Sequence, residues 1–230
     1  MNNCFITGTD TGVGKTFATC ALIAALQARG LDVAAMKPVA AGVAPGAGLA
    51  MNEDVAAYQD LTGHRHPLHL VNPYCFHDAI APHIAAARQG VVPDLSVIHT
   101  AYNRLAERAD VILVEGAGGF LVPLTEEASM ADVPVRLHLD VILVVGMRLG
   151  CLNHALLTAE AIRARGLALA GWIANTPAPG EPMNAYDENL STLRLRLGAP
   201  MLGALRFDPD PQGAAQRAAA LLQLSPLLEP

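Results

Sequence analysis

Residues 4–16 read Cys4-Phe5-Ile6-Thr7-Gly8-Thr9-Asp10-Thr11-Gly12-Val13-Gly14-Lys15-Thr16: a short apolar run, a glycine-rich turn, then a lysine and a threonine opening a helix-length stretch. That order predicts a strand running into a phosphate-binding loop and a helix, and hence a site for a nucleoside triphosphate. The glycines leave backbone N–H groups free to converge on phosphate oxygens. Lys15 has the reach for the β- and γ-phosphates, and the Thr16 hydroxyl stands where it ligates Mg²⁺. The positive end of the helix dipole falls on the same spot. The common form of this loop places its first glycine one residue nearer the lysine than Gly8 stands, so the loop is one residue longer here.

Working outward, apolar runs suited to buried parallel strands recur at Val33–Met36, Val111–Val114, Val141–Val145, Ala168–Ala174 and Met201–Leu205. Helix-length segments lie between most of them. Residues 15–29 and 152–165 close on Arg29-Gly30 and Arg165-Gly166, the basic-then-glycine ending of a helix. Alternation of this kind predicts an α/β fold: a doubly wound, mostly parallel sheet with helices on both faces, P-loop NTPase-like, in a single domain over residues 1–230. The Gly/Pro/Ala-rich stretches 40–50 and 176–184 are expected to be loops. In open sheets of this class ligands sit beyond the carboxyl ends of the strands. Gly8, Lys37, Glu115, Gly146 and Asn175 each follow such an end, which favours one site around the phosphate loop.

A chain of 230 residues, 52% apolar with mean hydropathy +0.33, has ample material for one packed core. A net charge of −6 argues against a nucleic-acid surface or an anionic membrane as partner and suits a small metabolite. With no basic, apolar leader and no run approaching ~18 apolar residues, a cytoplasmic location is expected. Cys4, Cys20, Cys75 and Cys151 show no Cys-x-x-Cys spacing and read as mostly buried, reduced thiols rather than disulfides.

Several side chains carry chemistry. Glu115 follows an apolar run at the position where nucleotide-binding sheets place an acid to hold Mg²⁺ directly or through water. Lys37 precedes Pro38, which keeps the chain extended and sets the ammonium at the rim of a site or in solvent. Asn52 and Asp54 fit a helix N-cap, and a metal role for Asp54 stays open beside it. Gly150-Cys151-Leu152-Asn153 opens a helix whose free N–H groups form a second anion site. Asn175 can both donate to and accept from a base edge. The set His64, Arg65, His66 and His69 reads as a solvated cluster, since only His66 and His69 share a helix face and no acid or cysteine completes a ligand set.

The long loop 8–16 belongs to a series: Lys37-Pro38-Val39 with Gly42, Asn72-Pro73-Tyr74, Ala81-Pro82-His83, Val114-Glu115-Gly116-Ala117-Gly118-Gly119, Leu149-Gly150-Cys151 with Asn153-His154, and Gly171-Trp172 with Asn175. Together, and in order, these resemble the motifs of the dethiobiotin synthetases over nearly the whole chain, thinning after about residue 176. The resemblance implies ATP and Mg²⁺ as cofactors, 7,8-diaminononanoate and CO₂ as substrates, and ring closure through a carbamate and a carbamic–phosphoric anhydride. It also implies a twofold homodimer with shared active sites. Carried over residue by residue, it implies catalytic roles for Thr11, Lys15 and Lys37, and nucleotide contacts from Gly12, Val13, Gly14, Lys15, Thr16, Phe17, Glu115, Asn175 and Arg206. Substrate contacts fall on Ala41, Pro82, Gly150, Cys151, Asn153 and Tyr186, and Mg²⁺ ligands on Thr16, Asp54 and Glu115.

Three positions depart from the family pattern. Gly12 replaces a common glutamate, Ala41 replaces a serine or threonine, and Arg206 stands where a proline usually borders the adenine, which leaves nucleotide selectivity open. The alternative reading is an ATP-driven switch of the chromosome-partitioning type. Such switches usually carry a second lysine early in the loop and often a basic amphipathic C-terminus. Residues 8–14 contain no lysine, and 212–224 hold only Arg217 as a cation. A cobalamin-type amide synthase would normally append a glutamine-hydrolysing domain for which this length has no room.

Overall fold

The structure, a computed structural model, describes residues 3–43, 51–180 and 182–228. The chain runs β1 (Cys4–Gly8), α1 (Lys15–Gln27), β2 (Val33–Met36), β3 (Val39–Ala41), α2 (Glu53–Leu61), α3 (Leu68–Val71), β4 (Tyr74–Phe76), α4 (Pro82–Arg88) and α5 (Leu95–Ala106). It continues through β5 (Val111–Gly119), α6 (Asp132–Leu137), β6 (Asp140–Gly146), α7 (Cys151–Ala164), β7 (Leu169–Thr176), α8 (Tyr186–Arg196), β8 (Met201–Arg206), α9 (Ala214–Ala219) and α10 (Ser225–Leu228).

Six strands form one parallel sheet in the order β2-β5-β1-β6-β7-β8. The apolar runs are continuous because both faces are covered, and successive residues serve opposite cores. Cys4 and Ile6, Val111 and Leu113, and Ile142 and Val144 pack toward α1 and α9. Phe5, Ile112, Val114 and Val141 pack on the other side, with α5 and α6. Toward the β7–β8 edge, Leu143, Val145 and Trp172 meet α7 and α8 in a third cluster. Helix α1 is apolar nearly all round because it is roofed by α2 and α9 as well as seated on the sheet. Its Leu22, Ile23 and Leu26 are fully buried, each contributing about 1.5–3 kcal/mol.

From β1 the chain crosses to β2 at one edge, returns through β5, and then builds outward through β6, β7 and β8 on the other side. The order therefore reverses at β1, and the crevice beyond its carboxyl end is where such a sheet takes a ligand.

The predicted strands are present, several of them longer. β5 continues from Val114 to Gly119, so Glu115 lies inside a strand rather than past its end. Glycines permit the extension: a Cβ on Gly116 would lie 2.8 Å from the Phe5 ring. The stretch 40–50 is not wholly loop, since Ala40 and Ala41 belong to β3, which pairs in parallel with β4; residues 44–50 lie outside the described residues. Thr176 closes β7, and the stretch after it is irregular up to α8, with Glu181 outside the described residues. His66 is buried rather than solvated, tucked beneath α2 where its carbonyl accepts from Gln59 Nε2 at 3.0 Å. His64, Arg65 and His69 are exposed.

Candidate active site

The loop between β1 and α1 is tied down at both ends. Thr9 N donates to the Val144 carbonyl at 3.0 Å, and Asn175 Nδ2 donates to the Val13 carbonyl at 2.8 Å. Gly14 has φ +86° and sits so close to Asn175 that a Cβ would come within 2.0 Å of Nδ2, so only glycine fits. No side chain caps α1, which leaves the first N–H groups of a buried helix turned to the crevice.

Beside this loop, two ammonium groups and two carboxylates converge. The Lys15 ammonium donates to the Asp10 carbonyl at 3.0 Å. Burial pushes its pKa down, helped by Lys37 and opposed by Glu115. Lys37 is buried at the exit of β2, a corner fixed by Asn72, whose Nδ2 donates to the Lys37 carbonyl at 2.6 Å and the Tyr74 carbonyl at 2.9 Å. Lys37 Nζ donates to Glu115 Oε1 at 2.8 Å and to Asp54. Burial alone would lower the Lys37 pKa, but Glu115 and Asp54 outweigh it and hold the ammonium above its ordinary value. Asp54 is the mirror case: burial would raise it, and Lys37 holds it below the ordinary carboxylate value.

The two readings of Asn52 and Asp54 separate here. Asn52 is the cap of α2, its Oδ1 accepting from Asp54 N at 3.0 Å, while the Asp54 side chain is left to face the site. Its Oδ1 accepts from the Thr16 hydroxyl at 2.7 Å. Glu115 is fully buried; its Oε1 lies 3.1 Å from Thr16 Oγ1, and its Oε2 accepts from Thr19 at 2.7 Å and from Tyr58. Burial, then the Glu115 charge, pushes Tyr58 well above its ordinary pKa, so it remains a donor.

Thr16, Asp54 and Glu115 thus bring one hydroxyl and two carboxylates to one point beside a phosphate loop. That donor set fits Mg²⁺, which takes hard oxygens from one or two carboxylates and completes its shell with phosphate and water. Among the described residues no group of three or more His, Cys, Asp or Glu gathers, so a site richer in protein ligands is not on offer there.

These groups line a cavity of about 780 Å³, together with Thr11, Gly12, Gly14, Ala41 and Pro82. A second cavity of about 570 Å³ adjoins it through Gly14, Thr16 and Pro177, and is walled by Phe17, Asn175, Phe207 and Gln216. Asn175 Oδ1 is a buried acceptor with no partner among the described residues, placed at this second wall. Val13 lies beneath the loop and touches the site through its backbone.

Five expected residues fall elsewhere. Arg206 ends β8 but does not line the second cavity; Phe207, one residue on, does. Gly150, Asn153, Cys151 and Tyr186 lie outside both walls, although Cys151 and Tyr186 share one cluster with Met147 and Leu152. Gly150, at φ +95°, starts α7 with no side-chain cap, and Arg148 just before it pairs with Asp10 of the loop. Sequence reasoning missed Thr19, Tyr58 and Phe207. The first two had a readable signal, each standing four residues after a site residue on a helix, Lys15 and Asp54 respectively.

Comparisons with known proteins agree with this picture. An AAA domain family model matches residues 2–214. The ATP-dependent dethiobiotin synthetase BioD of Aromatoleum aromaticum is 51% identical over 219 residues, 94% of this chain and 95% of that protein. The protein of the same name from Janthinobacterium sp. is 47% identical, over 97% of this chain and 94% of its own length. Among solved structures, the MinC:MinD cell division complex of Aquifex aeolicus matches with TM-score 0.55 at 15% identity, covering 95% of this chain and 86% of that one. A ParA family ATPase from Chlorobium tepidum matches with TM-score 0.52 at 15% identity, covering 98% and 94%. At such identities these two speak for the fold alone.

Proposed function

This chain belongs to the ATP-dependent dethiobiotin synthetase family, and from that premise we propose that it is a ligase closing a ureido ring on 7,8-diaminononanoate with CO₂ and ATP. The observation that carries the reading is the pair Lys15 and Lys37, brought to one cavity with Asp54, Glu115 and the phosphate loop. The switch alternative is not favoured, because the likeness to MinD and ParA proteins stops at the fold.

In the proposed reaction an unprotonated amine of the substrate attacks CO₂ and loses a proton to solvent, leaving a carbamate. A carbamate oxygen attacks the γ-phosphorus, and the bond to ADP breaks. The neighbouring amine then attacks the carbonyl carbon of the anhydride, phosphate departs, and the ring closes with loss of a second proton. No side-chain nucleophile is needed, and none of the groups that meet here forms a Ser-His or Cys-His pair. The protein contributes alignment and positive charge. Lys15 faces the β- and γ-phosphates, and Lys37 faces the carbamate and the transferring phosphoryl group. Thr16, Asp54 and Glu115 would hold Mg²⁺, which would supply further neutralisation of the triphosphate.

The second cavity suits the base. Phe17 and Phe207 offer apolar faces, and the orphan Asn175 Oδ1 is an acceptor for an exocyclic amino group. The substrate's carboxylate tail goes to Gly150–Asn153 and Tyr186. Their position outside the Lys15 and Lys37 cavity supports a dimer in which the tail site of one subunit completes the reaction site of the other. The test is direct: with ATP, bicarbonate and a panel of diamines, phosphate release should require the 7,8-diamine. Release at the same rate without any diamine would refute the reading.

A further inference from the structure

Glu115 is held by four donors, the three-proton Lys37 ammonium and three hydroxyls, and only one of the hydroxyls is undivided. Lys37 is shared with Asp54, and the single Thr16 proton is drawn to Asp54 at 2.7 Å rather than to Glu115 at 3.1 Å. Thr19 chooses between Glu115 Oε2 at 2.7 Å and the Lys15 carbonyl at 3.0 Å, since a hydroxyl has one proton to give. The Tyr58 hydroxyl donates to Glu115 Oε2, and it comes from a side chain wholly buried in the core. Its place follows from α2: Asp54 and Tyr58 are four residues apart on one face, so the turn that aims Asp54 at the site also sets Tyr58 against the core side of Glu115.

The two oxygens of Glu115 therefore have different surroundings. Oε2 points to the core and takes the hydroxyls of Tyr58 and Thr19, whereas Oε1 faces Lys37 and Thr16 in the cavity. We propose that Tyr58 is a positioning residue that pins Oε2 and lets Glu115 present one oxygen to the cation site, and that this sets a preference for Mg²⁺ over Ca²⁺. Mg²⁺ demands a near-ideal octahedron with single-oxygen carboxylate ligands, whereas Ca²⁺ accepts six to eight oxygens and commonly takes both from one carboxylate. Loss of the phenol frees Oε2 to swing toward the cavity, which favours the larger ion. The inference rests on the proposed metal role of Glu115.

The test uses the full-length protein and measures ADP affinity by calorimetry with Mg²⁺ or Ca²⁺ as the sole divalent cation. Wild type should bind ADP more tightly with Mg²⁺. Tyr58→Phe, which keeps the ring and its packing, should shrink the Mg²⁺ to Ca²⁺ affinity ratio roughly tenfold, the scale of one hydrogen bond to a charged group. Thr19→Val should shrink it as well, and Thr19→Ser should restore it; this pair carries the test should Tyr58→Phe fail to fold. An unchanged ratio in folded Tyr58→Phe overturns the role of Tyr58 while leaving the metal site standing. ADP affinity independent of both cations in wild type overturns the metal site itself, and Tyr58's role with it.

Discussion

Lys37→Gln tests the centre of the cavity most directly. The substitution leaves a side chain one atom shorter that keeps some hydrogen-bonding capacity but has no charge. One missing preorganised donor costs on the order of 10²–10³ in kcat, about 3–4 kcal/mol, and kcat and kcat/KM should fall together because the lost contact belongs to the transition state. The resting protein should suffer too. Removing one partner of a buried ion pair costs ~3–5 kcal/mol. Here the Asp54 side chain is 34% exposed and Glu115 keeps three hydroxyl neighbours, so about 2–3 kcal/mol is expected. For a chain of this length that is a fall in Tm of roughly 4–12 °C. The pH dependence has a definite sign. Asp54 is depressed below 3.8, so its share of the stability is present above pH 3.8 and is lost as pH falls through the lowered value. Lys37 is raised above 10.5, so its share is complete below pH 10.5 and is lost only above the raised value. The Tm gap between wild type and variant should stay flat from about pH 5 to 9 and close in strong acid. Steady-state phosphate release with saturating substrates, alongside calorimetric melts across pH, reads both effects. Normal kcat with only a raised KM for ATP would refute the catalytic reasoning, and an unchanged Tm would refute the ion-pair reasoning.

Asp54→Ala and Glu115→Ala should each raise the Mg²⁺ concentration at half-maximal phosphate release; an unchanged titration for Asp54→Ala would reduce that residue to a counter-ion of Lys37. Arg217 binds Asp208 at 2.7 Å and the carbonyls of Asp210 at 2.6 Å and Gln212 at 2.8 Å, bracing the segment that brings Phe207 to the second cavity, the one proposed for the base. Arg217→Ala should therefore raise KM for ATP about 3- to 10-fold at constant kcat, and a fall in kcat alone would contradict it. Mixing Lys37→Gln with the double variant Asn153→Asp plus Tyr186→Phe should restore roughly a quarter of wild-type activity if sites are shared across a dimer, and none if each subunit is self-sufficient. Burial raises the Cys20 thiol to about 12 and leaves Cys75 half-buried, so a thiol reagent should modify Cys75 first and Cys20 only on unfolding; equal rates for the two would count against this packing.

Which parts of this site were legible in the sequence follows from how local their physics is. The phosphate loop is a short-range object: Gly14 must be glycine and Lys15 must follow, so its spacing alone betrays it. Asp54 was ambiguous because capping and metal binding use the same residue types at the same offsets, and only the fold shows Asn52 taking the cap and freeing its neighbour. Arg206 shows a related limit. Successive residues at a strand end face opposite ways, so it is Phe207, one position on, that lines the second cavity. Glu115 was placed correctly in sequence but not in environment, since a run of glycines lets β5 continue past it and seals it from solvent. The strands and the phosphate loop are written in periodicity and glycine spacing. The protonated shell around the carboxylates depends on α1 and α2 packing against each other beside β5, a contact no single segment contains. Thr19 and Tyr58 belong to that shell. Their helical offsets from Lys15 and Asp54 mark which face they occupy, while their partner, Glu115, lies 96 and 57 residues away along the chain.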